Sequence, residues 1–569
     1  MIRLFRYLKD YKKQVIFGPM FKIIEAIFEL IVPLVMASII DVGIVNNDKN
    51  YILKMGLVLV ILAVVGLCST LCCQFLASRA SQGYGTVLRN VVFSHINSLS
   101  YAEIDKFGSS SLINRMTADI NQMQLAVAML IRLVIRAPFL VIGATIMAFS
   151  IDKKISIIFL ATSILIAIVL YLIMSCTIPH YKKIQSELDD VTTVTKENLS
   201  GVRVIRAFSK ENHEKKRFSD KLEKYVGSSV KVGKISALLN PLTYIIINAA
   251  IILIMYFGGI KVNNGDLTTG EITALVNYLN QILLALIVVA NLILIFTKAY
   301  ASASRINQVL DTKPSISNEN RKMIGYDEKS PIIAFNNVSF AYGNNKNAID
   351  DINFEINKGE VVGIIGTTGS GKTTLVNLIP CFYAPNNGSV KINGVNSTDY
   401  PLDLLRKRIG FVPQRSVLLS GTIRSNMEMK KRDATDEEII KALKISQSYE
   451  FVSKLPEGLD YPVNQGGKNF SGGQRQRLSI ARALVGDPDI VVLDDSSSAL
   501  DFATDAALRK SLKNDLASTI LIISQRVNSI MYADKIIVMK DGKISGIGSH
   551  DELLKTCSEY QNIYNSQVK

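Results

Sequence analysis

Six apolar stretches, at roughly 15–42, 52–78, 126–150, 155–178, 239–262 and 271–300, fill the first half of this chain. Each reaches about 20 residues or more, enough for a helix to cross a hydrocarbon core about 30 Å thick. A backbone in that core has no water to bond, so a helix, which satisfies its own N–H and C=O groups, is the form these stretches must take. The connections alternate. Those at 43–51, 151–154 and 263–270 are short, whereas 79–125 and 179–238 are long and charged. The long ones carry Arg89, Arg115, Lys182, Lys183, Lys196, Arg203, Arg206 and Lys210, so the positive-inside rule places them, and both chain ends, in the cytoplasm. They are neither Pro/Gly-rich nor of low complexity and read as helical extensions of the spans. The opening segment MIRLFRYLKDYKKQ is basic and amphipathic and lacks a cleavage site, which predicts an uncleaved interfacial helix leading into the first span.

At 569 residues the chain is too long for one ordinary domain, and its 48% hydrophobic content is concentrated in the first 300 or so residues. The remainder alternates strand-like and helix-like pieces in an α/β manner. The net charge of +15 is read as cytoplasmic Lys and Arg of a membrane protein, not as a nucleic-acid surface. The six cysteines (68, 72, 73, 176, 381 and 557) follow neither zinc nor secreted-disulfide spacing and read as free thiols. Residues 311–330 are polar, contain Pro314 and lack periodicity, which marks a linker between a membrane domain at 1–310 and a soluble domain at 331–569.

Within the soluble half, Gly366-Thr-Thr-Gly-Ser-Gly-Lys-Thr373 follows a strand-like VVGII and precedes a helix-compatible TTLVNLI. Such a loop turns backbone N–H groups toward phosphate oxygens, and Lys372 adds a point charge for the β/γ-phosphates. The cradle comprises Gly366, Thr367, Thr368, Gly369, Ser370, Gly371, Lys372, Thr373 and Thr374. Further on, Ile490–Leu493 form an apolar run ending in Asp494 and Asp495, a core strand delivering acids at its carboxyl end. Thr373 and Asp494 there would hold Mg²⁺ for a bound ATP.

FSGGQ at 470–474 stands where the ATP-binding cassette superfamily has its LSGGQ signature, and the chain resembles that superfamily over nearly its whole length. The resemblance implies an exporter-type half-transporter: six transmembrane helices with long intracellular extensions, then an α/β P-loop ATPase domain of ABC type. It implies that Tyr342 stacks on adenine and that Gln414 is the Q-loop residue reaching Mg²⁺. It implies that Ser498-Ala499-Leu500-Asp501 is the D-loop. Segments 102–120 and 197–211 resemble the family's two coupling loops. In the family two cassettes meet head to tail, so Ser471, Gly472, Gly473, Gln474 and Asp501 would face a partner's ATP.

Two residues depart from the pattern. Asp495 stands where the family has Glu to polarise the attacking water, and Gln525, in LIISQRVNSI, stands where it has His. The Asp carboxylate is drawn back by one methylene, and a misplacement of ~1 Å can cost ~10²-fold in rate. A Gln amide still hydrogen-bonds a phosphate but neither becomes cationic nor shuttles a proton. An intact signature beside a blunted centre resembles the degenerate-site subunit of heterodimeric bacterial multidrug ABC exporters. The expected partner is a second half-transporter carrying the Glu and His, and the expected cargo a small amphipathic or lipophilic compound leaving across the cytoplasmic membrane. A lipid or peptide exporter, an exporter-fold siderophore importer and an ATP-binding sensor subunit stay open. Within the membrane half, Glu25/Glu29 and Arg132/Arg136 are each four apart and contact cargo or pair with one another. Asn277, Asn280, Gln281 and Asn291 share a face of the sixth span, either lining a wet cavity or binding another helix.

Overall fold

The computed structural model describes residues 1–318, 321, 325, 327, 329–343, 346–496 and 499–567, all but the side chain of Lys182. It divides into two compact units, one of residues 1–95 with 110–311, the other of 96–109 with 312 onward.

Among the described residues of the first unit and its connections, six helices are long and apolar enough to cross a membrane: Ile2–Ile44, Lys49–Ser98, Ser109–Ile151, Ser156–Ala207, Glu211–Asn263 and Thr269–Asp311. Each contains one of the six apolar stretches. The expected helical extensions are present, since the second, fourth and fifth helices reach 50 to 53 residues, well beyond a bilayer-spanning length. Between apolar helices lipid gives little hydrophobic drive, so close backbone approach carries the packing. Small residues supply it: Ala26, Ala37, Ala144, Ala148, Ala250, Ala274 and Ala285 are all buried in one cluster. At Gly270 the neighbour is backbone, since a Cβ there would lie 2.4 Å from the Ala37 carbonyl oxygen. Its N–H donates to Asp41 Oδ1 at 2.8 Å, tying the start of the sixth helix to the end of the first.

The intramembrane charges pair with one another. Arg136 Nη2 lies 2.6 Å from Glu29 and its Nε 3.9 Å from Glu25, while Lys22 closes on Glu25 at 2.5 Å. Pairing is what an apolar surrounding demands of a charge. The pairs run through Arg136 and not Arg132, and Lys22, which the sequence reading passed over, completes them. Its i, i+3 spacing to Glu25 was the available signal.

In the second unit, β1 (Ile333–Phe340), β2 (Ile349–Ile356), β4 (Asn387–Ile392) and β5 (Val395–Asn396) form an antiparallel sheet in the order β2-β1-β4-β5. A short antiparallel pair joins β7 (Gly421–Thr422) to β8 (Pro462–Val463). The second large sheet consists of β3 (Val361–Gly366), β6 (Ile409–Val412), β9 (Ile490–Asp494), β10 (Thr519–Ile523), β11 (Lys535–Lys540) and β12 (Lys543–Gly548), in the order β12-β11-β3-β10-β9-β6. All are parallel except the edge strand β12. Strands buried on both faces read as continuous apolar runs, and Ile490 to Leu493 are at most 2% exposed. The central trio β3, β10 and β9 ends on one edge, so the loops after them come together there.

Candidate functional site

Thr367–Gly371 leave β3 and turn into the helix Lys372–Leu378. Gly371 makes that turn at φ +96°, and a Cβ on it would meet the Ala348 carbonyl oxygen at 2.7 Å, so both conformation and space require glycine. Lys372 folds back over the loop and donates to the carbonyls of Gly366 and Thr367 at 2.9 and 2.8 Å. Next along the helix, the Thr373 hydroxyl donates to Asp494 Oδ1 at the end of β9, 3.1 Å away. A cleft of about 240 Å³ is lined by Thr368, Gly369, Gly371, Lys372, Thr373, Thr374, Gln414, Asp494, Asp495 and Gln525, with Ala348 and Ile523. The structure thus brings ten of the residues singled out from sequence to one place. Gly366, Thr367 and Ser370 complete the loop behind it, and Tyr342 joins through its hydroxyl, 3.3 Å from Thr374 Oγ1.

Asp495 leaves the strand at φ +47°, a left-handed turn rarely taken by a residue with a side chain. Its N–H is held by the Ile523 carbonyl at 3.0 Å, and its carboxylate accepts from the Gln414 amide. Burial pushes its carboxyl above the ordinary range, against that hydrogen bond and the nearby Lys372 and Arg526. Asp494 is raised likewise by burial and by the charge of Asp495, with Thr373 and Lys372 opposing. Burial lowers the Lys372 ammonium against the pull of the same two acids.

These features fit ATP with Mg²⁺. Ser370 is buried, and its hydroxyl has no hydrogen-bond partner among the described residues. Two adjacent acids face one lysine, a charge imbalance that a divalent cation offsets. Thr373, Asp494 and Gln414 could hold the metal, and the loop from Gly366 to Thr374 the phosphates.

The signature residues are not in this cleft. Ser471 and Gln474 form a capping box at the start of the helix Gly472–Leu484, with Gln474 Oε1 accepting from the Ser471 N–H at 2.9 Å. Phe470, where the family has Leu, is 5% exposed and packs against Phe451 and Tyr461, so the departure is absorbed by an aromatic cluster. Asp501 caps its own helix, Phe502–Asp515, through the Thr504 N–H at 2.9 Å. Ser498 of the expected D-loop lies outside the described residues.

Of the two expected coupling segments, the first, 102–120, overlaps the helix Tyr101–Phe107, which belongs to the same compact unit as the cleft. The Tyr101 ring centroid is 4.7 Å from that of Phe382, and Tyr383 donates its hydroxyl to Asp105 Oδ2. The linker segment is partly attached as well: Ile316 donates its N–H to Ser100 Oγ at 3.0 Å, and Leu402 to Asn318 Oδ1 at 2.9 Å. In the second segment Leu199, Val204 and Phe208 are 61 to 71% exposed at the end of the fourth helix. Sequence reading missed Phe382 and Tyr383, which belong to no motif and acquire meaning only from what packs on them.

Residues 15–310 match the family model described as the ABC transporter transmembrane region, and residues 349–498 that described as ABC transporter. The uncharacterized ABC transporter ATP-binding protein YfiB of Bacillus subtilis is 35% identical over 562 residues, covering 99% of this chain and 97% of its own length. The ATP-dependent lipid A-core flippase of Desulfotalea psychrophila is 35% identical over 492 residues, covering 86% and 85%. A solved bacterial Atm1-family ABC exporter with ATP bound superposes with a TM-score of 0.82 over 98% of each chain at 22% identity, a likeness of fold.

Proposed function

Because this chain belongs to the ABC transporter family, as an exporter half-transporter whose membrane domain is fused to an ATPase coupled to transport, we propose that it is the weakly hydrolysing half of a heterodimer. The observation that carries this reading is the shared position of Asp495 and Gln525, the two departures from the family pattern, in one cleft with Lys372 and Asp494. Bound Mg·ATP supplies the phosphate bond whose cleavage drives transport. The chain's own residues bind it, a reading supported by the shared cleft of Lys372, the glycine loop, Thr373 and Asp494. They orient water poorly, since the Asp495 carboxylate is short and already engaged by Gln414. Ser471, Gly472, Gly473, Gln474 and Asp501 stand away from this cleft and serve the partner's site, where the partner's own Glu and His act.

In the same proposal, residues 1–310 form the membrane domain, 311–330 the linker and 331–569 the cassette. The chain lies in the cytoplasmic membrane with both ends in the cytoplasm. The Tyr101–Phe107 helix and the 197–211 segment transmit nucleotide-driven movement. Cargo is an amphipathic or lipophilic compound, for which the exposed Asn277, Asn280 and Asn291 line the path. A lipid cargo is the second reading, favoured by the 35% identity to a protein named as a lipid A-core flippase.

Two assays separate the possibilities. The full chain purified alone should bind Mg·ATP yet hydrolyse it slowly, and Asp495→Glu with Gln525→His should raise turnover only beside a partner with an intact signature. A fully active homodimer of the unaltered chain would refute the heterodimer reading. Reconstituted vesicles that move a fluorescent lipid but no amphipathic dye would favour the lipid cargo.

A further inference from the structure

The side chain of Gln525 lines the ATP cleft, is exposed and makes no hydrogen bond to any described residue, so the placement of its backbone sets its reach into the cleft. That backbone is held on both sides. Upstream, Ser524 donates its N–H to the Ile364 carbonyl at 3.1 Å, and its hydroxyl accepts from the Arg526 N–H at 2.9 Å. Downstream, Val527 and Ile530 are 1% exposed and sit in an apolar cluster with Leu553, Cys557 and Tyr560. The peptides between these anchors are gripped by one side chain, Gln567, at the end of the helix Ser558–Gln567. Its Oε1 accepts from the Val527 N–H at 2.8 Å, and its Nε2 donates to the Gln525 carbonyl at 2.7 Å. Val527 opens a short helical turn, whose first N–H groups have no partner within the turn, and the Gln567 amide satisfies one of them. Ser558–Gln567 is itself anchored: Tyr560 is fully buried and its hydroxyl lies 2.7 Å from His550 Nδ1.

We infer that Gln567 is a positioning residue for the ATP cleft: its amide clamps the Gln525–Val527 backbone and thereby aims the Gln525 side chain into the site. The inference rests on the reading of Gln525 as the residue that meets the nucleotide's phosphates. A glutamine suits the task, because one planar amide offers an acceptor and a donor side by side to a backbone N–H and C=O two residues apart. Alanine removes both contacts. Glutamate keeps the acceptor for Val527 and sets a carboxylate against the Gln525 carbonyl.

Amide hydrogen exchange over residues 524–529 of the full-length chain, without nucleotide, reads the clamp directly. Gln567→Ala should speed exchange at Val527 about threefold to tenfold, the range for one or two lost hydrogen bonds, and Gln567→Glu should fall between it and the unaltered chain. Gln561→Ala, a change in the same helix that removes that side chain's bond to the Leu554 carbonyl of the preceding helix, should leave this exchange unchanged. Titration with Mg·ATP reads the aim: Gln567→Ala should weaken binding about threefold to tenfold, and should add nothing in a Gln525→Ala background. Unchanged exchange in Gln567→Ala overturns the clamp. Equal losses of affinity with and without the Gln525 side chain reduce Gln567 to general support and overturn the positioning role. If Gln525→Ala alone leaves Mg·ATP affinity untouched, the reading of Gln525 fails and the positioning role fails with it, whatever the exchange shows.

Discussion

The hydroxyl of Thr373, in the first turn of the P-loop helix, donates to Asp494 Oδ1 at the end of β9, 3.1 Å away, so two of the three candidate metal-holding groups already touch. Burial and Asp495 both raise the Asp494 carboxyl, a strain that a cation at this point relieves. Asp494→Asn should therefore remove most of the gain in ATP affinity that Mg²⁺ confers, leaving affinity in chelator nearly unchanged. Titration of full-length protein with ATP in Mg²⁺ and in EDTA checks this. Equal sensitivity to EDTA in the two proteins would place the metal elsewhere.

Tyr383 binds Asp105 through its hydroxyl while the Tyr101 ring packs, tilted, against Phe382 and Tyr383, so the Tyr101–Phe107 helix is held by polar and aromatic contacts together. Tyr101→Ala should cost about 0.5–1.5 kcal/mol of that docking. Combined with Asp105→Ala, it should lower transport and cargo-stimulated hydrolysis severalfold while Mg·ATP affinity stays within about twofold of the unaltered chain. Replacing both Asp105–Ser111 and Arg203–Phe208 by Gly/Ser with transport unchanged would rule out coupling through these segments.

Arg136 lies 2.6 Å from Glu29 and 3.9 Å from Glu25. Arg136→Ala takes from Glu29 its cationic partner and leaves Glu25 with Lys22 alone, in a poorly hydrated place, and should cost about 1–3 kcal/mol, read as a lower melting temperature in detergent. Arg136→Lys should recover part of it. An Arg136→Ala protein that melts like the unaltered one yet fails to transport would assign Arg136 to cargo instead.

Along the sixth span Asn277, Asn280 and Asn291 are exposed, whereas Gln281 donates to the Glu29 carbonyl at 3.0 Å and Leu279 is 1% exposed. If the polar face lines the path, cysteines at 277, 280 and 291 should react quickly with water-soluble thiol reagents. Those at Gln281 and Leu279 should lag, as should Ile293, which lies on a different face. Uniform protection would point to a dry contact with another helix.

The architecture was legible because its two signals are physical and local. Apolar length announces a membrane span, and a glycine-punctuated loop between an apolar strand and a helix announces a phosphate cradle. Ten cleft residues followed from those two signals and the family resemblance. What remained hidden depends on residues far apart in the chain. Which arginine meets Glu29 is decided only once two helices pack, 107 positions apart in the chain, and Tyr383 meets Asp105 across 278 positions. Gln567 is an ordinary surface glutamine in sequence, and only the fold lays it along the Gln525 backbone. On the sixth span Asn277, Asn280 and Asn291 are exposed, but the bond from Gln281 to the Glu29 carbonyl, between residues 252 positions apart, separates it from them.

The central claim is that this chain lends its signature to a competent site while its own site turns over slowly. It is tested most directly by steady-state ATPase activity at saturating ATP, comparing Ser471→Ala with Asp495→Asn in the assembled pair. Ser471 caps the signature helix with Gln474 and stands outside the chain's own cleft, while Asp495 lines that cleft. Ser471→Ala should reduce activity by about a hundredfold or more, the scale of losing one donor to developing charge. Asp495→Asn should leave most of it. A larger loss from Asp495→Asn than from Ser471→Ala would contradict the account.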